Sequence, residues 1–288
     1  MTLRLGTVCL FENPSNEAGR ALIRQFVLAR EADRMGYDDI WIAEHHGDPY
    51  HPSGAITALM GHLAGVTSKA RIGAILQLKG RDVTRLVEDL ATCELLSRAR
   101  LALAADALGD ASGLAVDAMA AVRDDLGGNA TDLVPRPSIA RFPASVVTDR
   151  EDAVRRAATL GLGLWLPPAL TLAAVSSLLD LYRAVARDAG TAELKPLLTR
   201  YACPAATHDK ALAIARPYLE ARLGAGSANV LLAESLVGSY AEVAAQIQRI
   251  EAEFDVQGVM IVPMSAQFDT AKHILADMVD EVRPLLDD

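Results

Sequence analysis

Apolar and polar positions along this chain switch back and forth between two periods. Short, nearly continuous apolar runs of strand length fall at residues 3–10, 37–44, 71–78, 100–105, 144–148, 162–166, 194–203 and 257–262. Between them lie stretches with apolar residues at helical spacing, at 16–35, 53–66, 82–97, 149–160, 171–189, 207–222, 240–254 and 270–286. In the first of these, Ala21, Leu22, Phe26, Leu28, Ala29 and Ala32 fall mostly on one face, and Gly36 follows as a C-terminal cap where positive φ is wanted. Two stretches break the rhythm. Residues 106–141 are irregular, with one helical candidate at 113–126, and 224–238 form an excursion.

The pattern is therefore eight strands, nearly every one followed by a helix. Continuous apolar strands suit a parallel sheet covered on both faces. Eight such units close naturally into a (β/α)₈ TIM barrel. An open doubly wound sheet would place a GxGxxG turn after the first strand, where this chain has Leu10-Phe11-Glu12-Asn13-Pro14. The reading is a single barrel domain over residues 1–288.

Composition narrows the partners more than the fold. The formal net charge is −9, and no Lys/Arg cluster appears. That argues against nucleic acid or an anionic membrane surface as the main partner. Cys9, Cys93 and Cys203 are isolated and odd in number, which argues against a disulfide framework or a Cys-rich zinc site. No apolar run reaches transmembrane length and the start lacks a cleavage-site pattern, so the expected location is cytoplasmic.

In a barrel, chemistry gathers at the C-terminal strand ends. Here those ends carry Glu12 and Asn13, Glu44-His45-His46, Gln77 and Lys79, Asp106, Asp149 and Arg150, Trp165, Cys203, and Ser265. The densest polar knot is Glu44-His45-His46. Side chains alternate across a strand, so the two histidines point to opposite sides, which weighs against both binding one metal. One reading is a core histidine beside a loop histidine. The other is an imidazole in the barrel mouth acting as acid/base, with a pKa near neutrality. No Ser-His-Asp arrangement or G-x-S-x-G elbow supports acyl-transfer hydrolysis.

The stretch Glu31-Ala-Asp-Arg-Met-Gly-Tyr-Asp-Asp-Ile-Trp-Ile-Ala-Glu-His-His46 resembles the second-strand signature of the bacterial luciferase-like monooxygenase superfamily. Further segments are similar to that family in the expected order: Thr67 to Gly73, Val87 to Thr92, Ala157 to Trp165, Val237 to Ile247, Gly258 to Pro263 and Val282 to Leu286. The resemblance implies a luciferase-like barrel that uses reduced flavin (FMN, or F420 in one branch) on a small organic substrate. In the monooxygenase branch it implies O₂ as well, with a separate flavin reductase as a possible electron source. It implies His45 as the acid/base group, oriented by Glu44 and His46, and Arg100 as the arginine of the motif after the third helix. Asp106 stands at a flavin-facing position of the fourth strand. Lys79 and Arg81 offer an anion site, and Arg150 offers a cation at the turn where relatives hold phosphate.

Three departures motivate a second hypothesis. Relatives continue through S-G-G-R and a strand into G-x-G-x-G, whereas this chain reads Ser97-Arg-Ala-Arg100 and then Ala104, Ala105 and Asp106. The segment after the fourth strand is shortened. The phosphate turn is Thr148-Asp149-Arg150-Glu151-Asp152, whose carboxylates would repel a phosphate by about 1 kcal/mol each. The alternative is a degenerate, non-catalytic homologue acting as partner subunit or small-molecule binder. Residues 55–66 leave almost no polar face, so this helix is expected to meet a second subunit, in a homodimer or a heterodimer with a related chain.

Overall fold

The computed structural model describes residues 3–130, 132–139 and 141–286. Its strands are β1 (Arg4–Cys9), β2 (Asp39–Ala43), β3 (Arg71–Leu76), β4 (Leu101–Asp106), β5 (Ala144–Val147), β6 (Gly163–Leu166), β7 (Leu197–Ala205), β8 (Leu236–Ser239) and β9 (Gly258–Pro263). The helices are α1 (Ala18–Met35), α2 (Ile56–Val66), α3 (Val83–Ser97), α4 (Leu114–Asp124), α5 (Glu151–Thr159), α6 (Leu172–Ala189), α7 (His208–Leu223), α8 (Ala225–Ala233), α9 (Tyr240–Phe254) and α10 (Phe268–Asp277).

All pairings are parallel, and β1 through β7 follow one another around the ring before β9 closes it against β1. Eight strands thus form a closed α/β barrel. β8 lies outside this ring and pairs with the C-terminal end of β7, at Ala202 to Ala205. No helix among the described residues is long and apolar enough to cross a membrane.

Alternation along the strands divides the core in two. Outward side chains such as Ile40, Ile42, Ile72 and Leu103 join the layer under the helices. Inward side chains, among them Val8, Trp41, Ala102, Ala104, Val147, Trp165 and Met260, fill the barrel itself. The filling is matched residue by residue. A Cβ on Gly73, the register partner of Trp41, would lie 1.9 Å from the Trp41 ring, so a side chain there is incompatible with the packed indole. Trp41 in turn meets Trp165 edge-on at 4.3 Å.

The N-terminal end of the barrel is sealed by charge. Asp39 is fully buried and accepts from Arg4 at 2.8 Å and from Arg71. Nearby, Asp33 of α1 accepts backbone N–H bonds from Ser68, Lys69 and Ala70. Burial works against that carboxylate, but these bonds outweigh it and hold its pKa below the usual value.

Helix ends follow local chemistry. Gly36 takes φ 91° as the α1 cap, as its position predicts. Ser239 and Glu242 form a reciprocal capping box at α9. At Arg98 and Ala99 the backbone stays left-handed, with φ 57° and 63°, although neither residue is glycine. Holding two side-chain-bearing residues in this conformation costs about 1–2 kcal/mol per residue.

The structure adds elements that periodicity missed. Strand β8 and helix α8 occupy the expected excursion. The helical candidate at 113–126 is α4 followed by a π-type turn, Asp125–Asn129. The last helix begins as α10 and tightens through Met278–Val282 and Arg283–Leu286. On α2 the outer face consists of Ala58, His62 and Gly65, and beside it on α3 the side chains of Leu95 and Leu96 are exposed.

Candidate functional site

The C-terminal end of the barrel is built from inward rows that continue past the last paired residues. Trp41 points inward on β2, so alternation carries Ala43 and then His45 to the same side. On β3 it carries Ile75 and Gln77, and on β4 Ala104 and Asp106. Tyr201 of β7 and Leu10 after β1 complete the inner surface. Ile75, Gln77, Asp106, Tyr201, Leu10 and His45 are all partly exposed, while the row beneath them is buried.

Glu44 faces the other way and is fully occupied. Its buried carboxylate accepts from Arg81 Nη1 at 2.9 Å, from the Gln77 N–H at 2.8 Å and from His46 Nε2 at 2.9 Å. It therefore staples β2 to the loop after β3. His46 is largely exposed on that outer side.

His45 is held by different groups. Its Nδ1 lies 3.1 Å from Ser53 Oγ, and its ring stacks on His51 at 4.7 Å. Burial pushes the His45 pKa below its ordinary value, and the neighbouring His51 adds to this, against smaller raising effects from Asp48, the Ala43 carbonyl and Glu44. His51 Nδ1 donates to Asp48 Oδ2 at 2.6 Å, and its Nε2 is buried without a partner among the described residues. A carboxylate that engages one imidazole nitrogen fixes the ring's tautomer and orientation.

The end of α7 closes on the loops after β1 and β2. Tyr218 donates to Glu12 at 2.9 Å, Arg222 pairs with Glu12, and the Arg222 guanidinium lies 5.7 Å from the Tyr50 ring and 5.2 Å from the Tyr218 ring. Tyr218 meets Tyr201 edge-on at 6.3 Å. On the opposite wall, burial raises the Asp106 pKa even though its carboxylate accepts from the Leu108 N–H.

Of the residues singled out from sequence, His45 and Asp106 come to the inner surface. Glu44 and His46 sit together on the outer side, and neither bonds to His45. Arg100 lies at the other end: it precedes β4, donates to the carbonyls of Ser97 and Ala70, and also to Thr67, so it braces the sealed end and not the mouth. The resemblance places it beside a cofactor, whereas here it starts the strand whose far end faces the mouth. Lys79, Arg81 and Arg150 are at the C-terminal side, each facing a carboxylate: Asp110 at 3.3 Å, Glu44 at 2.9 Å and Asp152 at 2.7 Å. Sequence reasoning missed Asp48, His51, Ser53, Tyr201, Tyr218 and Arg222. Asp48 and His51, three apart in the loop after the histidine pair, were the one local signal available.

Residues 3–105 match the family model for luciferase-like monooxygenases. The oxygenating constituent of 3,6-diketocamphane monooxygenase from Pseudomonas putida, solved in complex with FMN, superposes with a TM-score of 0.83 at 14% identity over 98% of this chain and 99% of that one. The chain has the luciferase-like barrel fold. An F420-dependent secondary alcohol dehydrogenase in complex with an F420-acetone adduct gives a TM-score of 0.78 at 16% identity, covering 100% of both chains. In sequence, the chain is 38% identical to the uncharacterized protein YvbT of Bacillus subtilis (strain 168) over 87 residues, 30% of this chain and 25% of that protein. The matched stretch thus spans about a quarter of the length of that curated relative.

A flavin-type cofactor needs a recess for its ring and cations or free amides for its phosphate. For the ring there is the partly exposed inner surface of Leu10, His45, Ile75, Gln77, Asp106 and Tyr201. Beneath it Ala104 adds only a methyl group, and Trp41 Nε1 is a buried donor with no partner among the described residues. The phosphate half is not met. Lys79, Arg81 and Arg150 are each paired with a carboxylate, and the first turn of α5 carries Glu151 and Asp152. The residues present do not form a clamp for a permanently held phosphate.

Proposed function

We propose that this chain is a luciferase-like flavin-dependent oxidoreductase acting on a small organic substrate in the barrel mouth. Reduced FMN or F420 enters as an exchanging co-substrate supplied by a separate reductase, and O₂ is the oxidant in the monooxygenase mode. The observation that supports this reading is His45: inward, half-buried, stacked on His51 and set above an aromatic floor. A bound reduced flavin supplies the electrons; the protein supplies position and proton handling.

The side chains divide the work. With Nδ1 against Ser53, His45 exchanges its proton at Nε2, and its lowered pKa keeps it neutral, and so able to act as a base, near neutral pH. The Asp48–His51 pair holds the second imidazole in one orientation behind it. Glu44 fixes the β2 and β3 loop ends that carry the rim. Tyr201, Tyr218 and the Glu12–Arg222 pair form the wall that limits water access on the α7 side.

A second reading, a non-catalytic partner subunit or small-molecule binder, is favoured by the neutralised cations and by Asp106 at the mouth. The two separate on titration of the purified chain with reduced and oxidised FMN and F420, followed by fluorescence. Uptake of one reduced flavin supports the enzyme reading; no binding of any of the four forms supports the second. Under either reading, the outer face of α2 with the exposed Leu95 and Leu96 of α3 is the surface for a second copy or a related subunit. Light scattering of Leu96→Lys tests this, with a shift toward monomer expected.

A further inference from the structure

On the outer side of β7, a cavity of about 310 Å³ lies between the start of α6, the α8–β8 turn and α9. Arg200 lines it and is only 1% exposed. Its Nη1 donates to the Thr199 carbonyl at 3.1 Å, while Nε and Nη2 are buried with no partner among the described residues. In a planar guanidinium, the Nε–H and Nη2–H bonds point the same way and form the edge that takes both oxygens of one carboxylate. Gln246 lines the same cavity, and its Oε1 is likewise buried without a partner among the described residues. Buried polar groups are nearly always satisfied, so bare ones on two residues that line one cavity call for a partner, and a ligand in the cavity reaches them when those side chains turn toward it.

The charges around the cavity narrow the ligand's class. Glu234 is committed elsewhere, accepting the Leu172 N–H at 3.1 Å at the first turn of α6. Its charge still faces the cavity and disfavours a dianion. Burial lowers the Arg200 pKa to about 10, which leaves the guanidinium charged at neutral pH. Arg249 stands exposed at the rim. Gln246 Oε1 asks for a donor.

We propose that this cavity binds a small monocarboxylate carrying a hydroxyl or amine, its carboxylate seated on the Nε–Nη2 edge of Arg200 and its donor on Gln246 Oε1. The site is separate from the barrel mouth. Arg200 and Tyr201 are neighbours on β7, but alternation sends one outward and the other inward.

The test uses the full chain with L-lactate, glycine, propionate and inorganic phosphate, read by calorimetry and thermal melting. Lactate or glycine is expected to bind and raise the melting temperature by a few degrees at saturation. Propionate, lacking the donor, is expected to bind about tenfold more weakly. Arg200→Met should abolish binding, and Gln246→Leu should reduce lactate to the level of propionate. Lack of binding by both lactate and glycine, unchanged lactate binding in Arg200→Met, or tighter binding of phosphate than of lactate would each overturn the proposal. Should Arg200→Met fail to fold, the arginine Nε–H resonances of the wild-type chain decide. A single resonance moving on lactate addition supports the site, and an unchanged spectrum overturns it.

Discussion

Two regions of this barrel handle positive charge in opposite ways. At the C-terminal end of the strands Lys79, Arg81, Arg150 and Arg222 each face a carboxylate of the same chain. Behind β7, Arg200 is buried with two donors bare. Placing cations at the mouth is therefore not the same as offering them. A paired arginine braces loops and has little left for an incoming anion, whereas an unpaired buried one is destabilising unless something binds it. The mouth accordingly reads as a place for a ring and a proton transfer, and the outer cavity as a place for an anion.

The sharpest way to break this contrast is at His45. His45→Ala is expected to lower turnover by about 10²–10⁴-fold while leaving the fold intact, since this half-exposed ring makes few structural contacts. Steady-state rates with the reduced flavin that binds would check it, and unchanged turnover would remove His45 from the chemistry. Next comes stability, where the two regions should respond with opposite signs. Glu44→Ala removes three bonds from a buried carboxylate and should cost about 3 kcal/mol. Arg200→Met removes unsatisfied donors and should leave urea stability unchanged or raise it by about 1 kcal/mol. Equal losses in both would erase the distinction between paired and bare charge.

A smaller effect is expected at the left-handed Arg98-Ala99 turn. Ala99→Gly relieves a left-handed alanine and should add about 1 kcal/mol, visible as a raised melting temperature. The gentlest probe is pH. Burial lowers the folded-state pKa of His45 below the ordinary 6.5, so the folded chain binds fewer protons there than the unfolded one. Its contribution to stability is complete above pH 6.5 and declines as pH falls toward the folded pKa. A rate that needs neutral His45 should therefore hold at pH values below 6.5. A pH–rate profile whose acid limb lies above 6.5 would count against this base.

The sequence alone was enough for the barrel. The eight ring strands, their helices, the cap at Gly36 and the alternation that separates His45 from His46 all depend on residues close together in the chain, and local periodicity reports them. It also located the Glu44-His45-His46 knot and the replaced glycines. Local pattern could not say which partners each charge would find. Tertiary structure gave Glu44 to His46 and Arg81, set His45 against Ser53 and His51, and sent Arg100 to the sealed end. It also laid β8 beside β7 and left Arg200 bare behind it. The reason is distance along the chain: these contacts join segments brought together only when the ring closes, where burial and the competition among neighbouring carboxylates decide each pairing.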